Sequence, residues 1–380
     1  MIKEPIHVAH MIPMGAGGIS TLTISMYDLM DHDKIQYSYL MFRDKTEFYE
    51  EKVKKSGCKK IIVDTEKMGA LKKFYSKIIC VGKALKQNDV DIMHIDASSP
   101  YDVIIAISAK LGGVKTVIMH SHNDNFEKDA NKIRNLLMPF FKFLIPWFVD
   151  YYIACSRSAA EFMFPKRIMK EKEVLILKNG IVADKYVFDA KTRQEIRAQY
   201  NLADKFVIGH VGRFVEQKNH DFLIDIFYEV QKINPNAVLL LIGTGEYEQR
   251  IFDKVKALNI ENKVIFVGTS HEVHKLMNAM DVFVFPSLFE GLGMVAVEAQ
   301  ASGLPTICAS TVPIEAKVSD LFEQVDLRES PSYWAKVILS KTNCINQRKN
   351  MYLSVLNAGY DVKESAKILQ EKYFNISRRI

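Results

Sequence analysis

The sequence predicts an α/β protein made of two doubly wound parallel-sheet domains. Short runs rich in Ile, Val and Phe alternate with longer stretches of helical period, which is the pattern of β-α units. The count of such units starts again midway along the chain. At 380 residues the chain exceeds one ordinary core and suits two domains of roughly 150–200 residues each.

The strand candidates of the first half are, in order, IHVAHMI, IQYSYLMF, KIIVD, DIMHID, KTVIMH, YYIACS and VLILKNG. Those of the second half are FVIGHVG, AVLLLIGTG, VIFVGT, VFVFPS and PTICAS, each followed by a turn signal and a helical pattern. Between them, NGIVADKYVFDAKTRQEIRAQYNLADK is turn-rich and then helical, and reads as a connector with the boundary near Asp184. The expected domains are therefore residues 1–184 and 185–364. A terminal helix at about 365–380, apolar at Ile368, Leu369, Tyr373 and Phe374, is placed to cross back to the first domain. Open parallel sheets bind ligands at the carboxyl ends of their strands, so two such domains are expected to face a central cleft.

Composition narrows the function class. Hydrophobic residues make up 48% and charged residues 25%, with no low-complexity tract, as in a soluble globular enzyme. Cys58, Cys80, Cys155, Cys308 and Cys344 are scattered and odd in number, which suits reduced thiols in the cytoplasm rather than a disulfide framework or zinc site. The start lacks a signal-peptide run, and Leu136 to Cys155 is interrupted by Pro139, Lys142, Pro146 and Asp150, so no membrane span is expected. Residues 1–185 hold 28 basic and 22 acidic side chains, whereas residues 186–380 hold 23 of each. All the positive excess lies in the first half, without the dense stripe of a nucleic-acid binder. Residues 132–149 set Lys132, Arg134 and Lys142 among Phe140, Phe141, Phe143, Trp147 and Phe148. They either meet an anionic bilayer surface or build the first domain's core.

Three constellations carry the chemistry. After VFVFPS comes LFEGLGMVAVEA, where Gly291 and Gly293 let backbone approach a ligand and a helix opens near Gly293 with unpaired N–H groups suited to phosphate. Glu298, among Ala296, Val297, Ala299 and Ala301, sits where a carboxylate can accept from the two hydroxyls of a ribose. Glu290 precedes the helix and is within reach of a sugar hydroxyl. The second constellation is GHVGRFVEQKNHDFLI, whose Arg213 and Lys218 follow a strand and together neutralise a diphosphate. The third is MIPMGAGGISTLTISM, where Gly15, Gly17 and Gly18 lack both dinucleotide and P-loop spacing and read as a hinge over a ligand. The plainer reading of each is a strand-turn-helix connection with solvated charges.

The order of that glycine loop, HSHN, ACSRSAAEFMF, LKNGIVADKY, GRFVEQKNHDFLI, LIGTGEYE, VIFVGT and PSLFEGLGMVAVEAQASGLPTI resembles a family 4 retaining glycosyltransferase of GT-B fold, of the kind found in bacterial capsule and exopolysaccharide pathways. The resemblance spans nearly the whole chain, and the E-x7-E pair Glu290 and Glu298 is its most specific part. It implies Rossmann-like domains, with the acceptor on the first and the nucleotide sugar on the second. Arg213 and Lys218 would hold the donor diphosphate, with the backbone of Gly291, Leu292, Gly293 and Met294 completing the cradle. Glu298 would bind the ribose, Glu290 the transferred sugar, and Val267 with its neighbours would flank the base. A histidine beside the sugar is implied in MHSHND: His122 is favoured and His120 is its rival.

The resemblance further implies retention of anomeric configuration, with a UDP-sugar donor on family frequency alone and a lipid-linked glycan acceptor at the inner face of the membrane. Positive groups aimed at the departing diphosphate make a metal or other cofactor unnecessary. Asp31–Asp33 and Asp89–Asp91 look like metal-binding D-x-D motifs but precede predicted strands, the wrong end for a ligand, and read as turns. Two other functions remain to be told apart by product analysis and donor binding: a sugar-nucleotide epimerase of similar architecture, and a non-catalytic nucleotide-sugar-binding subunit.

Overall fold

Each apolar run of the first half is followed by a helix, so successive runs can pair only in parallel with crossovers between them. The computed structural model describes residues 5–12, 15, 17–44, 48–65, 68–123, 136–341 and 348–378. The first half forms β1 (Ile6–Met11), β2 (Ile35–Met41), β3 (Lys59–Ile62), β4 (Ile92–Ala97), β5 (Thr116–Ser121), β6 (Tyr151–Ala154) and β7 (Val174–Ile176), in the order β3-β2-β1-β4-β5-β6-β7. The second half forms β8 (Phe206–Val211), β9 (Ala237–Ile242), β10 (Val264–Gly268), β11 (Val282–Phe285), β12 (Thr306–Ala309) and β13 (Phe322–Val325), in the order β10-β9-β8-β11-β12-β13. Strand order reverses between β1 and β4 and again between β8 and β11, and such reversals open crevices at the carboxyl ends.

Sequence reading expects five strands in the second sheet and misses β13. Its residues, Phe-Glu-Gln-Val, include two polar ones because it pairs only with β12 at the sheet edge. The boundary also lies earlier than Asp184. The chain groups as residues 1–180 with 362–380, and residues 181–361. Ile181 donates its N–H to the Tyr360 carbonyl at 2.8 Å and bridges Asp361, while Ile181 and Ala183 are buried in the second unit's core. The helix Ala190–Gln199 belongs with that unit as well, because Arg193 and Arg197 both pair with the buried Asp281 just before β11.

The two faces of the first sheet differ. One face is apolar: Ala9, Met93, Ile95, Val117 and Met119 pack with Val81 and Leu85 of the helix Ala70–Gln87 and with the helices Val103–Leu111 and Met138–Phe148. The other face, set by the same two-residue alternation, carries Tyr37, Tyr39, His10, His94, Asp96 and His120. The C-terminal helix Val362–Ser377 covers it, burying Leu369, Tyr373 and Ile376 and packing on the helix Gly18–Asp28. Asp31–Asp33 and Asp89–Asp91 fall before β2 and β4, where Asp91 accepts the His7 N–H at 3.0 Å.

The helix Met138–Phe148 divides the aromatic stretch. Met138, Phe141 and Ile145 are buried, whereas Phe140, Phe143 and Trp147 are 56%, 64% and 72% exposed, spaced as one helical stripe. Lys142 turns its ammonium to the Glu161 carbonyl. Lys132 and Arg134 lie outside the described residues. No helix among the described residues is long and apolar enough to cross a membrane.

Candidate functional site

In the second unit the loops that follow β8 and β11 are laced together. Leu288 donates its N–H to the Gln217 carbonyl at 2.8 Å, the Gln217 amide donates to the Phe289 carbonyl at 3.0 Å, and Asn219 donates to the Pro286 carbonyl at 3.1 Å. Across this lacing Lys218 Nζ meets Glu290 Oε1 at 2.6 Å and lies 4.7 Å from the centre of the Phe285 ring. The two side chains are only 15% and 8% exposed, so the pair is desolvated and each charge depends on the other. Two residues expected to act on different parts of a ligand are thus ion-paired here.

Arg213 stands on the same strand end but is exposed, with no side-chain partner among the described residues. It is free to turn toward an anion. Beyond Glu290 the helix Met294–Ala301 begins at Gly293, whose φ of 81° lies in the left-handed region; no side chain caps the helix. Its first amides are left for an outside acceptor. Gly291 has open space where a Cβ would stand, and Leu292 and Met294 pack partly against the core.

Glu298 lies one turn into this helix and accepts a hydrogen bond from the Tyr186 hydroxyl. Burial raises its carboxyl to about 7, and the Tyr186 bond offsets only part of that. Tyr186 is a site residue that sequence reading misses, because it sits in the connector, far from any motif. Val267 lies at the end of β10, where the pairing with β9 shifts register between Phe266 and Gly268. Such an irregularity re-aims side chains at a sheet edge.

In the first unit Gly17 precedes and Gly18 begins the helix Gly18–Asp28, and little stands near either α-carbon: only Ser20 Oγ at 3.9 Å from a Cβ at Gly17, and nothing within 4 Å at Gly18. Met14 and Ala16 of this loop lie outside the described residues. His120 is the fifth residue of β5 and His122 lies just beyond its end. Both are buried, with ring centres 4.0 Å apart.

Neither histidine stands alone. Asp96 bonds His122 Nε2 through Oδ1 at 3.0 Å and His10 Nδ1 through Oδ2 at 2.9 Å. His122 Nδ1 is 3.2 Å from Asn179 Oδ1. Tyr373, from the C-terminal helix, bonds His10 Nε2 at 3.1 Å and His94 Nδ1 at 2.7 Å, and takes the Tyr37 hydroxyl proton at 3.2 Å. His94 Nε2 meets His120 Nδ1 at 3.3 Å, leaving His120 Nε2 buried without a partner. Burial, followed by the neighbouring His10, lowers His94 to about 3, and burial with His122 and His94 lowers His120 well below its usual value. Burial alone would raise the Asp96 carboxyl, but the imidazoles around it, by charge and by the His10 and His122 hydrogen bonds, hold it well below the usual range. His10, His94, Asp96, Asn179 and Tyr373 are missed by sequence reading, which takes MHID only as a strand.

Residues 192–324, all within the second unit, match the family described as Glycosyl transferases group 1. The "Putative glycosyltransferase EpsF" of Bacillus subtilis is 31% identical over 379 residues, covering 99% of this chain and 97% of its own length. The UDP-Gal:alpha-D-GlcNAc-diphosphoundecaprenol alpha-1,3-galactosyltransferase of Escherichia coli is 23% identical over 316 residues, 81% of each protein. Among solved structures, Anabaena HepE in complex with UDP-glucose superposes with a TM-score of 0.72 at 19% identity, covering 97% of this chain and 100% of that one. With two parallel α/β sheets and a relative matched from end to end, the chain belongs to the group 1 glycosyltransferases and has the GT-B fold.

Proposed function

We propose that the chain transfers a sugar from a UDP-sugar to a lipid-linked glycan, with retention of configuration, in the assembly of a surface polysaccharide. The observation that carries this is the Lys218–Glu290 pair beside the uncapped helix at Gly293, with the free Arg213 on the same strand end. A diphosphate entering there draws Lys218 from Glu290, gains the Arg213 fork and the first helix amides, and releases Glu290 toward the sugar. As the sugar–phosphate bond breaks, these groups face the growing negative charge, so the step is assigned no metal. Glu298 takes the ribose hydroxyls in place of water, and their hydrogen bonds favour its ionised form. Val267 flanks the base, Gly17 and Gly18 serve the donor, and His122, or its rival His120, serves the transferred sugar.

The relatives support the substrate class, since the Escherichia coli enzyme is named for UDP-galactose and a diphosphoundecaprenol acceptor, and the HepE crystal holds UDP-glucose. The exposed stripe Phe140, Phe143 and Trp147 is proposed to rest on the cytoplasmic face of an anionic membrane, where such an acceptor lies. Flotation with anionic liposomes tests this: the wild type should rise with the vesicles and Phe143→Ser/Trp147→Ser should stay below.

The decisive experiment is a thermal-shift screen over UDP-, GDP- and ADP-sugars, followed by product analysis with a lipid-linked acceptor. Stabilisation by UDP-sugars and a new glycosidic product are expected. A rearranged free sugar would instead identify an epimerase, and binding without turnover a non-catalytic subunit. Absence of affinity for any nucleoside diphosphate would overturn the proposal.

A further inference from the structure

With one proton on each ring, the hydrogen bonds of the buried line in the first unit run in one direction. An ionised Asp96 accepts on both oxygens, so His122 carries its proton on Nε2 and His10 on Nδ1. With its single proton on Nδ1, the His10 ring offers a lone pair at Nε2, which takes the Tyr373 hydroxyl proton. Having donated, the Tyr373 oxygen must accept from His94 Nδ1–H and from the Tyr37 hydroxyl. His94 Nε2 is then a lone pair that accepts from His120 Nδ1–H, and the chain ends on a bare lone pair at His120 Nε2. That nitrogen is the one ring atom of the cluster left without a partner, and buried unpaired acceptors are better tolerated than buried unpaired N–H donors.

We propose that Asp96 and Tyr373 are positioning residues for His122: the carboxylate decides which ring nitrogen bears the proton, and the hydroxyl brought by the C-terminal helix fixes the direction of every proton behind that carboxylate. This rests on the reading that His122 faces the sugar. The consequence at His122 is directional. With Nε2–H committed to Asp96, Nδ1 is a lone pair; the Asn179 amide, whose oxygen stands 3.2 Å away, donates its NH2 to it when turned end for end. The ring is held at both ends, so its carbon edge and the adjoining backbone keep one orientation at the end of β5.

The same atoms have a competing use. Asp96, His120 and His122 bring ligand atoms within 4.8 Å of one another, as do His10, His94 and Asp96, and either trio could hold a metal ion. The 2.9 and 3.0 Å bonds to the two Asp96 oxygens favour the hydrogen-bonded use, because each already occupies a lone pair that an ion would need.

Long-range proton–nitrogen spectra of the imidazoles, recorded on the whole protein, test the proposal without reference to turnover. In the wild type His122 should show a slowly exchanging Nε2–H. Asp96→Asn should move that proton to Nδ1, and Tyr373→Phe should speed its exchange while leaving the melting curve cooperative. In the transfer assay both variants should lose kcat, Asp96→Asn by roughly 10-fold or more and Tyr373→Phe by less, with UDP affinity unchanged. Finding Nδ1–H on wild-type His122 overturns the proposal, and this measurement needs no variant to fold. An unchanged His122 proton in Tyr373→Phe overturns the part played by the C-terminal helix. Stoichiometric zinc binding that erases the Nε2–H signal assigns the cluster to a metal instead. A wild type with the expected spectra but no transfer activity leaves the positioning intact and sinks the proposed function.

Discussion

The second unit carries its ionic groups on loops where β8 and β11 end, while the first unit carries its own inside the strands, under a helix. Lys218 and Glu290 come from two loops, each at a fixed distance after a strand, and the Arg213 side chain beside them has no partner among the described residues. His10, His94, Asp96 and His120 come from three neighbouring strands and close on one another through Tyr373. Loop charges held by a single partner can exchange it for a ligand. A strand-borne network with nearly every lone pair filled instead holds geometry and resists change. The difference separates groups that bind from groups that hold the binders in place.

The largest effect should come from the loops. Arg213→Ala and Lys218→Ala should each lower kcat/KM for a UDP-sugar by roughly 10²–10³-fold, measured by steady-state turnover. An equal loss in the uncharged neighbour Gln217→Ala would break the comparison. Acid should act on the strands. His94 is held neutral down to about 3, so between pH 6.5 and 3 the unfolded chain binds the proton first and stability falls as pH falls. His94 alone contributes a loss of order 4 kcal/mol over that window, read as lost amide-exchange protection in β1, β4 and β5. The depressed Asp96 carboxyl works the same way at lower pH, its contribution present above the unfolded value and lost as pH falls through the folded one.

Glu298 has the opposite sign. Its carboxyl is raised to about 7, so the folded state binds the extra proton between pH 4.5 and 7, and stability falls as pH rises through that window. Glu298→Gln should therefore stabilise the protein by about 3 kcal/mol at pH 8 and by almost nothing at pH 4.5, while weakening UDP binding. Calorimetry in buffers of different ionisation enthalpy should show wild-type protein releasing protons on binding UDP at pH 7, and the variant releasing fewer. The smallest effects separate two glycines. Gly293→Ala forces a side chain into the left-handed region with its Cβ 3.2 Å from Phe285 and Val312, and should destabilise by about 1–2 kcal/mol in thermal melts. Gly18→Ala meets nothing and should leave the melting temperature unchanged within error.

The same contrast explains what the sequence discloses. Arg213, Lys218 and Glu290 are legible because each lies a few residues after an apolar run, which puts them at a strand's carboxyl end, and Glu298 because it follows the glycine turn by one turn of helix. The histidine cluster is not. HVAH, MHID and MHSH show period-two polar positions, but no local pattern says that β1 lies between β2 and β4, or that a tyrosine near the end of the chain joins them. Tyr186 escapes for a similar reason, as its partner Glu298 is more than a hundred residues away. β13 escapes because an edge strand needs few apolar residues, and the boundary shifts from Asp184 because the bridge between Ile181 and Asp361 is set by pairing rather than composition.

Val362–Ser377 is translated after residues 181–361, yet it completes the unit that residues 1–180 begin. Throughout the synthesis of residues 181–361 the nascent first domain lacks the hydroxyl that joins His10 to His94, and its polar sheet face stays open to water. Translation order thus makes the histidine line mature after the loops of residues 181–361, so a chain released before Tyr373 would have its loop charges in place and no ordered imidazoles.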